Sequence, residues 1–371
     1  MHRGRWTEFR LLNRTADGWF SDGSRGSTLY TGSRVNITYT PILGVNLSSM
    51  VRNLVTTIIP VHNRPHLLRE AVASAVSQSH RPIEIVIVND GSTDDTPSVA
   101  NALATDSSRE IRVIHQPNSG PGLAREAGRR LARGEFIQYL DSDDLLLPRK
   151  FELQVEGLRA HPECGVAYGK TYYCEYGSVP EQRPWKRTGE RIEWMFPSFL
   201  QSRWWGTSTP LYRRSLTDTA GAWLALSSEE DWEYDCRVAA TGVRLAYVDE
   251  YVSEEHEHGG ARLSKDGSTA RAKLHDRAEA HSLILEHARR AGIDEASDEM
   301  RHFARELFLL ARQCGAAGLD SESHDLFLQA RGASGEDRAN GLDFRLYAFA
   351  ASVLGWSLAG RLASASDQFR K

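Results

Sequence analysis

The sequence predicts an α/β fold: a Rossmann-like, mostly parallel sheet flanked by helices, followed by a helical C-terminal extension. Three observations carry this. From Leu54 onward, short β-branched or apolar runs alternate with helical patterns of about ten residues, the signature of parallel strands joined by right-handed crossovers. The run Ile83-Glu-Ile-Val-Ile-Val88 is apolar almost throughout, as a strand covered on both faces must be. Beyond Thr269 only helical periodicity remains, rich in Ala, Arg and Leu.

Each element has its own reason. Val55-Thr-Thr-Ile-Ile-Pro60 is a β-branched run stopped by proline, and Leu67–Val76 follows with helical spacing. After the strand at Ile83–Val88 come a helix at Asp94–Ala104, a strand at Ile111–His115, a helix at Gly122–Leu131 and a strand at Phe136–Leu140. Residues 148–255 read as mixed structure. Helices are expected at Lys150–His161 and Asp231–Ala240, and strands at Val166–Tyr173, Ser208–Tyr212 and Val243–Val248. Leu346–Gly360 is apolar on most faces but too short to span a bilayer. Packing in a helix bundle is the favoured reading, and peripheral membrane association through the C-terminal helices is the alternative. The domain plan is a disordered extension over 1–53, an α/β domain over 54–268 and a helical region over 269–371. Residues 1–53 hold seven Arg, no Lys and three acids, without sustained period. Met50, just before the first strand, is an alternative start.

Composition narrows the function. The chain has 371 residues, 40% hydrophobic and 25% charged, with a net charge of −4, so no global basic field recruits nucleic acid. Its four cysteines form no CxxC pair, which argues against a zinc module or a disulfide scaffold. No apolar run of about 20 residues marks a spanning helix. The N-terminus lacks the apolar core of a signal peptide, which leaves the three Asn-x-Ser/Thr sequons as chance and points to the cytoplasm, with the inner membrane face as the alternative site of action.

Ligands of such sheets gather beyond the carboxyl ends of the strands. Three ends carry polar signals: His62-Asn63, Asn89-Asp90-Gly91 and Asp141-Ser-Asp-Asp144. Around Asp90, Gly91 lets the chain turn and Ser92 or Thr93 caps the next helix; neither role requires the acid at Asp90, which is free for a ribose hydroxyl or a base imino group. Three carboxylates within Asp141–Asp144 repel one another unless a cation or donors neutralise them. A hard ion, Mg²⁺ or Mn²⁺, completes its shell with phosphate oxygens and water. Helix capping is the rival reading, but capping needs one acid rather than three.

The combination Pro60-Val-His-Asn63, Ile85-Val-Ile-Val-Asn-Asp-Gly-Ser-Thr-Asp94, Asn118-Ser-Gly-Pro-Gly-Leu-Ala-Arg125 and Tyr139-Leu-Asp-Ser-Asp-Asp144 resembles the family 2 glycosyltransferases over about residues 54–260. The resemblance implies a GT-A fold, a nucleotide-diphospho-sugar donor with UDP favoured, a divalent ion (Mn²⁺ or Mg²⁺) and inversion at the anomeric carbon. It places Pro60, His62, Asn63, Asp90, Arg125 and Asp141 around the donor and Asp143, with Asp141, on the metal, Asp144 being the alternative to Asp143 as direct ligand. Arg125 as a helix-surface residue is an equal alternative. Glu230-Asp231 looks like the family's Glu-Asp motif, with Asp231 as general base and Glu230 either orienting it or binding the acceptor; acids at a helix N-terminus are also favoured by the macrodipole alone. His258, followed by small residues and Ser264, fits the family's late metal-binding histidine better than His256, against a solvated-loop reading. Trp204-Trp205 lies where an acceptor pocket is expected, with core burial equally weighted. Saccharide, lipid-linked and protein acceptors all stay open. The rival functions are a sugar-1-phosphate nucleotidyltransferase, disfavoured because Pro60-Val-His-Asn-Arg-Pro65 stands where a Gly-rich loop is usual, and a non-catalytic nucleotide-sugar binder.

Overall fold

Burial separates the strands from everything else. In the computed structural model, which describes residues 50–106, 110–181, 183–257 and 271–368, every residue of Ile83–Asp90 is buried, as are the last eight of Val51–Val61. The first half runs β1 (Val51–Val61), α1 (Pro65–Val76), β2 (Ile83–Asp90), α2 (Thr96–Asp106), β3 (Glu110–Gln116), α3 (Pro121–Leu131) and β4 (Gly134–Tyr139). Then come β5 (Leu145–Leu146), α4 (Lys150–Ala160), β6 (Cys164–Glu175), β7 (Leu211–Arg213), α5 (Arg214–Ala220), α6 (Glu230–Ala239) and β8 (Arg244–Glu257). The last helices are α7 (Arg271–Arg290), α8 (Asp298–Ala316), α9 (Asp320–Ala333), α10 (Glu336–Ala339), α11 (Leu342–Leu354) and α12 (Trp356–Gln368).

The sheet order is β3-β2-β1-β4-β7-β6-β8-β5. β3, β2, β1 and β4 are parallel; β7 runs antiparallel between β4 and β6, and β6 pairs parallel with β8. Because the chain moves outward through β2 and β3 and then returns to β4 on the other side of β1, the strand order reverses between β1 and β4. A crevice opens beyond the carboxyl ends at such a point. Register lines those ends up: Val61 lies beside Asn89, and Ile58 beside Tyr139.

Three expectations need correction. β1 starts at Val51, so Val51–Asn53 belong to the sheet; residues 1–49 lie outside the described residues. The strand expected at Ser208–Tyr212 is only Leu211–Arg213, because Ser208 and Thr209 spend their side chains on Asp144 and Thr171. β8 continues past Val248 to Glu257, so Glu254-Glu-His-Glu is strand rather than loop; pairing with β6 overrides its poor intrinsic β preference.

The helical region shares a core with the sheet. Tyr139, Val166 and Tyr234 belong to one buried cluster with Ile284, Phe303 and Leu307. α7 also grips the start of α6: Arg277 Nε donates to Glu229 at 2.8 Å, His281 Nδ1 lies 2.9 Å from Glu229, and His287 Nε2 lies 2.9 Å from Glu233.

Candidate active site

The loops after β1 and β2 are knitted together. Asn63 N donates to Ser92 Oγ (2.9 Å), Thr93 N to Asn63 Oδ1 (2.8 Å), and Arg64 N to Thr96 Oγ1 (3.0 Å). His62 Nδ1 donates to the Asp90 carbonyl at 2.7 Å, while Pro60 is buried within β1. The Ser92 hydroxyl and the Thr93 backbone N–H are therefore spent on the β1 loop, and Asp94 caps α2, its Oδ1 accepting from Thr96 N. At Gly91 (φ 70°) a Cβ would sit 2.4 Å from Asn118 N, so only glycine lets this turn meet the loop before α3.

Asp90 is buried, and its carboxylate faces that loop. Oδ1 accepts from Gln116 Nε2 (2.8 Å) and Ser119 N (2.9 Å), and Oδ2 from Gly120 N (2.9 Å). The side chain expected to contact a nucleoside thus holds the turn that opens α3.

Asp141–Asp144 form a turn closed by Asp144 N donating to the Asp141 carbonyl, followed by β5. None of the three acids caps a helix: α4 begins at Lys150. Asp143 Oδ2 pairs with Arg64 Nη1 at 2.8 Å. Asp144 accepts from Ser208 Oγ at 2.6 Å and from His256 N at 3.4 Å. Burial, with Glu255, Asp143 and Asp141 close by, pushes the Asp144 carboxyl well above the usual range. Burial likewise pushes Glu255 up to about 7, with Lys186 opposing and Asp141 adding. This carboxylate excess is what a divalent cation would neutralise, so the residues present fit the metal that the motif implies.

Arg125 joins the two halves of the site. It is buried rather than on the helix surface; Nη2 donates to Asp141 Oδ1 at 2.7 Å, Nη1 to Glu230 Oε1 at 2.8 Å, and the guanidinium lies 4.8 Å from the Trp223 ring centroid. The acids at the end of β4 and those opening α6 therefore border one crevice. Glu230 is buried; burial and Asp231 together outweigh Arg125 and raise its carboxyl to about 7. Burial also acts on Asp231, but Arg203, Arg125 and Lys186 hold it below the usual carboxylate range. Arg203 Nη1 donates to Asp231 Oδ2 at 2.5 Å and its Nε to Asp235 Oδ2 at 2.6 Å. The Asp231 side chain keeps 31% exposure and reaches solvent from the crevice. Glu233 turns away to Arg237 and His287, as its position on the helix requires. Just before α6, Glu229 takes φ 61°, a left-handed conformation uncommon outside glycine.

Sequence reasoning missed Arg64, Arg203 and Glu255. Arg64 follows directly on the Pro60–Asn63 motif, whereas Glu255 stands among four consecutive polar residues that hide the strand. Arg203 stands in an irregular stretch and had no signal. Trp204 and Trp205 are core residues, 1% and 0% exposed, which rules out an acceptor surface there. Tyr173 and Trp185, both half-buried, are stacked with centroids 5.3 Å apart. They border a cavity of about 380 Å³ with Glu181, Arg183, Pro184 and Lys186. It adjoins the crevice at Gly206, where a Cβ would meet Glu255 at 2.0 Å and Trp185 at 3.2 Å.

His258 lies outside the described residues. His256 is buried on the reverse face of β8, where its Nε2 is 2.8 Å from Glu254; Cys174 Sγ donates to the same oxygen at 3.3 Å. These three donor atoms lie within 4.8 Å of one another, close enough to share an ion, but they face away from Asp143.

The model of the glycosyl transferase family 2 matches residues 56–216, the span holding the β1, β2 and β4 ends. The chain carries a family 2 glycosyltransferase domain. An uncharacterized glycosyltransferase of Rickettsia felis is 42% identical over 102 residues, 28% of this chain and 17% of that protein. The putative glycosyltransferase EpsH of Bacillus subtilis is 43% identical over 94 residues, 25% of this chain and 27% of that protein. The chain thus spans well under half the length of these curated relatives. The crystal structure of S. aureus TarS 1–349 in complex with UDP-GlcNAc superposes with a TM-score of 0.62 over 85% of this chain and 91% of that one, at 18% identity. The glycosyltransferase domain therefore has the GT-A fold, and the likeness extends into the C-terminal helices.

Proposed function

We propose that the protein is an inverting, metal-dependent glycosyltransferase of the cytoplasm that moves a sugar from a nucleotide-diphospho-sugar to an acceptor hydroxyl. The observation that carries this reading is the Arg125 bridge, which sets Asp141 and Glu230 on one crevice. Asp143, with Asp141 and His258, would hold a divalent ion, Mn²⁺ or Mg²⁺, which would neutralise charge on the departing diphosphate. His62, Asn63 and the turn held by Asp90 bound the donor's nucleoside end. UDP is the favoured nucleotide, in keeping with the UDP-GlcNAc complex of TarS. The acceptor oxygen attacks the anomeric carbon from the side opposite the diphosphate. The new C–O bond forms as the bond to the phosphate oxygen breaks, and the electron pair leaves with the diphosphate. Asp231 takes the hydroxyl proton. It is ionised at neutral pH and exposed on the crevice, whereas the acids on the β4 side are committed to the leaving group. Arg203, bonded to Asp231 Oδ2, orients it, and Glu230 holds Arg125 beside it. Stacked Tyr173 and Trp185 offer apolar faces to a saccharide acceptor.

Glu230 is the second candidate base, because a carboxyl near 7 is matched to proton transfer at neutral pH. Incubation with UDP-, GDP- and dTDP-sugars, with Mn²⁺ or with EDTA, tests the function. Nucleoside diphosphate released only with Mn²⁺ is the expected result. Release of pyrophosphate from a sugar 1-phosphate and a nucleoside triphosphate points instead to a nucleotidyltransferase.

A further inference from the structure

Seven of the thirteen exposed large apolar side chains among the described residues sit on α11 and α12. α11 has two apolar faces. Phe344, Tyr347 and Ala351 are buried against the bundle, with Phe344 stacked on Phe308 at 4.4 Å. Leu342, Leu346, Phe349 and Val353 are 74%, 66%, 68% and 64% exposed. At about 100° per residue these four fall within roughly 60° of arc, directly opposite the buried three. α12 repeats the pattern with Leu358 and Leu362, 44% and 56% exposed. The hairpin is docked rather than frayed: a Cβ at Gly360 would lie 2.5 Å from Ala316 N, so α12 and α8 touch backbone to backbone. A stripe of this size is not left to water without a use.

Charge says what covers it. Arg345 and Arg361 each sit on the same edge of their stripe, about 70–80° from its centre. Both are exposed, and neither side chain has an ion pair or hydrogen bond among the described residues. Residues 340–371 contain Arg345, Arg361, Arg370 and Lys371 against Asp343 and Asp367, a basic segment in a chain of net charge −4. Asp343 is paired with Arg338. A second copy of this face would set arginines against arginines, whereas anionic headgroups answer them. No helix among the described residues is long and apolar enough to cross a membrane, so the element lies in the plane of the interface.

We propose that the α11–α12 hairpin is an interfacial membrane-binding element that seats Leu342, Leu346, Phe349, Val353, Leu358 and Leu362 at the acyl boundary of an anionic bilayer, with Arg345 and Arg361 on its headgroups. The proposal is independent of the transferase reading. Flotation of the full chain with vesicles of phosphatidylcholine alone, or of phosphatidylcholine with phosphatidylglycerol, tests it. The protein is expected to float with the anionic vesicles and to be released by salt. Leu346→Glu with Phe349→Glu weakens binding by at least about tenfold. Arg345→Gln with Arg361→Gln removes the preference for phosphatidylglycerol. These positions are exposed, so the melting midpoint and nucleotide-sugar turnover in solution stay at the wild-type values. Absence of flotation with either vesicle overturns the proposal. So does a solution dimer in light scattering that the Leu346→Glu, Phe349→Glu variant splits, since the stripe is then a self-association face.

Discussion

Replacing Arg125 with Met removes the one cation shared by Asp141 and Glu230 while keeping the length of the side chain. Glu230 has a side chain only 10% exposed, so breaking the buried Asp141–Arg125–Glu230 cluster costs about 3–5 kcal/mol. Asp141, 30% exposed, recovers part of its loss from water. The packing of the guanidinium on Trp223 adds about 0.5–1 kcal/mol. A deficit near 4 kcal/mol lowers the melting midpoint by about 8 °C at roughly 2 °C per kcal/mol in a chain of this size. The sign of the pH dependence follows from Glu230. Its folded carboxyl titrates at about 7, above an unfolded value near 4.3, so its ionisation costs stability as pH rises through that window. Without Arg125 the folded value rises further. At pH 6 the residue is largely protonated in both proteins; at pH 8.5 only the variant buries an unpaired charge or keeps the proton at a cost. The deficit at pH 8.5 therefore exceeds that at pH 6 by about 1–2 kcal/mol, since each unit of further shift is worth about 1.4 kcal/mol. Thermal melts of both proteins at the two pH values read this directly. A midpoint unchanged at both pH values refutes the bridge, and a deficit equal at both refutes Glu230 as its charged partner.

Asp231→Asn is expected to lower kcat by about 10²–10⁴-fold with donor affinity nearly unchanged, measured by initial rates of nucleoside diphosphate release in the presence of acceptor. Because Arg203 and its neighbours keep Asp231 ionised, wild-type kcat should hold steady from pH 8 down to the ordinary carboxylate range; an acidic limb centred near 7 assigns the base to Glu230. Gly122→Ala puts a Cβ 2.2 Å from the Leu224 carbonyl and 3.6 Å from Glu230 Cγ. It should cost about 1–3 kcal/mol in a denaturant titration, and an unchanged midpoint would mean that the 221–229 segment yields freely.

The strands were legible because burial on both faces leaves a run such as Ile83–Val88 few polar options. The motif carboxylates were legible because strand ends in a parallel sheet meet at one edge, so three short motifs suffice to outline a crevice. Partners were not. Arg125 and Glu230 are 105 residues apart, and only the packing of α3 against the segment before α6 brings them together. Arg125 therefore read equally well as a surface residue. Trp204 and Trp205 illustrate the reverse problem: indoles suit both a sugar platform and a core, and composition does not separate the two. In β8, four polar residues in a row suppress the strand signal. Pairing along β6 supplies the stability that the side chains do not, and Glu255 reaches the crevice only because residue 206 is glycine.

The crevice carboxylates are proposed to serve a metal-assisted departure of a nucleoside diphosphate. The most direct measurement is nucleoside diphosphate release from UDP-sugars as a function of Mn²⁺ concentration, for the wild-type protein and for Asp143→Ala, with folding of both checked by thermal melts. The expected result is release that EDTA abolishes and Mn²⁺ restores in the wild type, and a folded Asp143→Ala protein that Mn²⁺ does not activate. Release that is equal in the two proteins and indifferent to EDTA would contradict it.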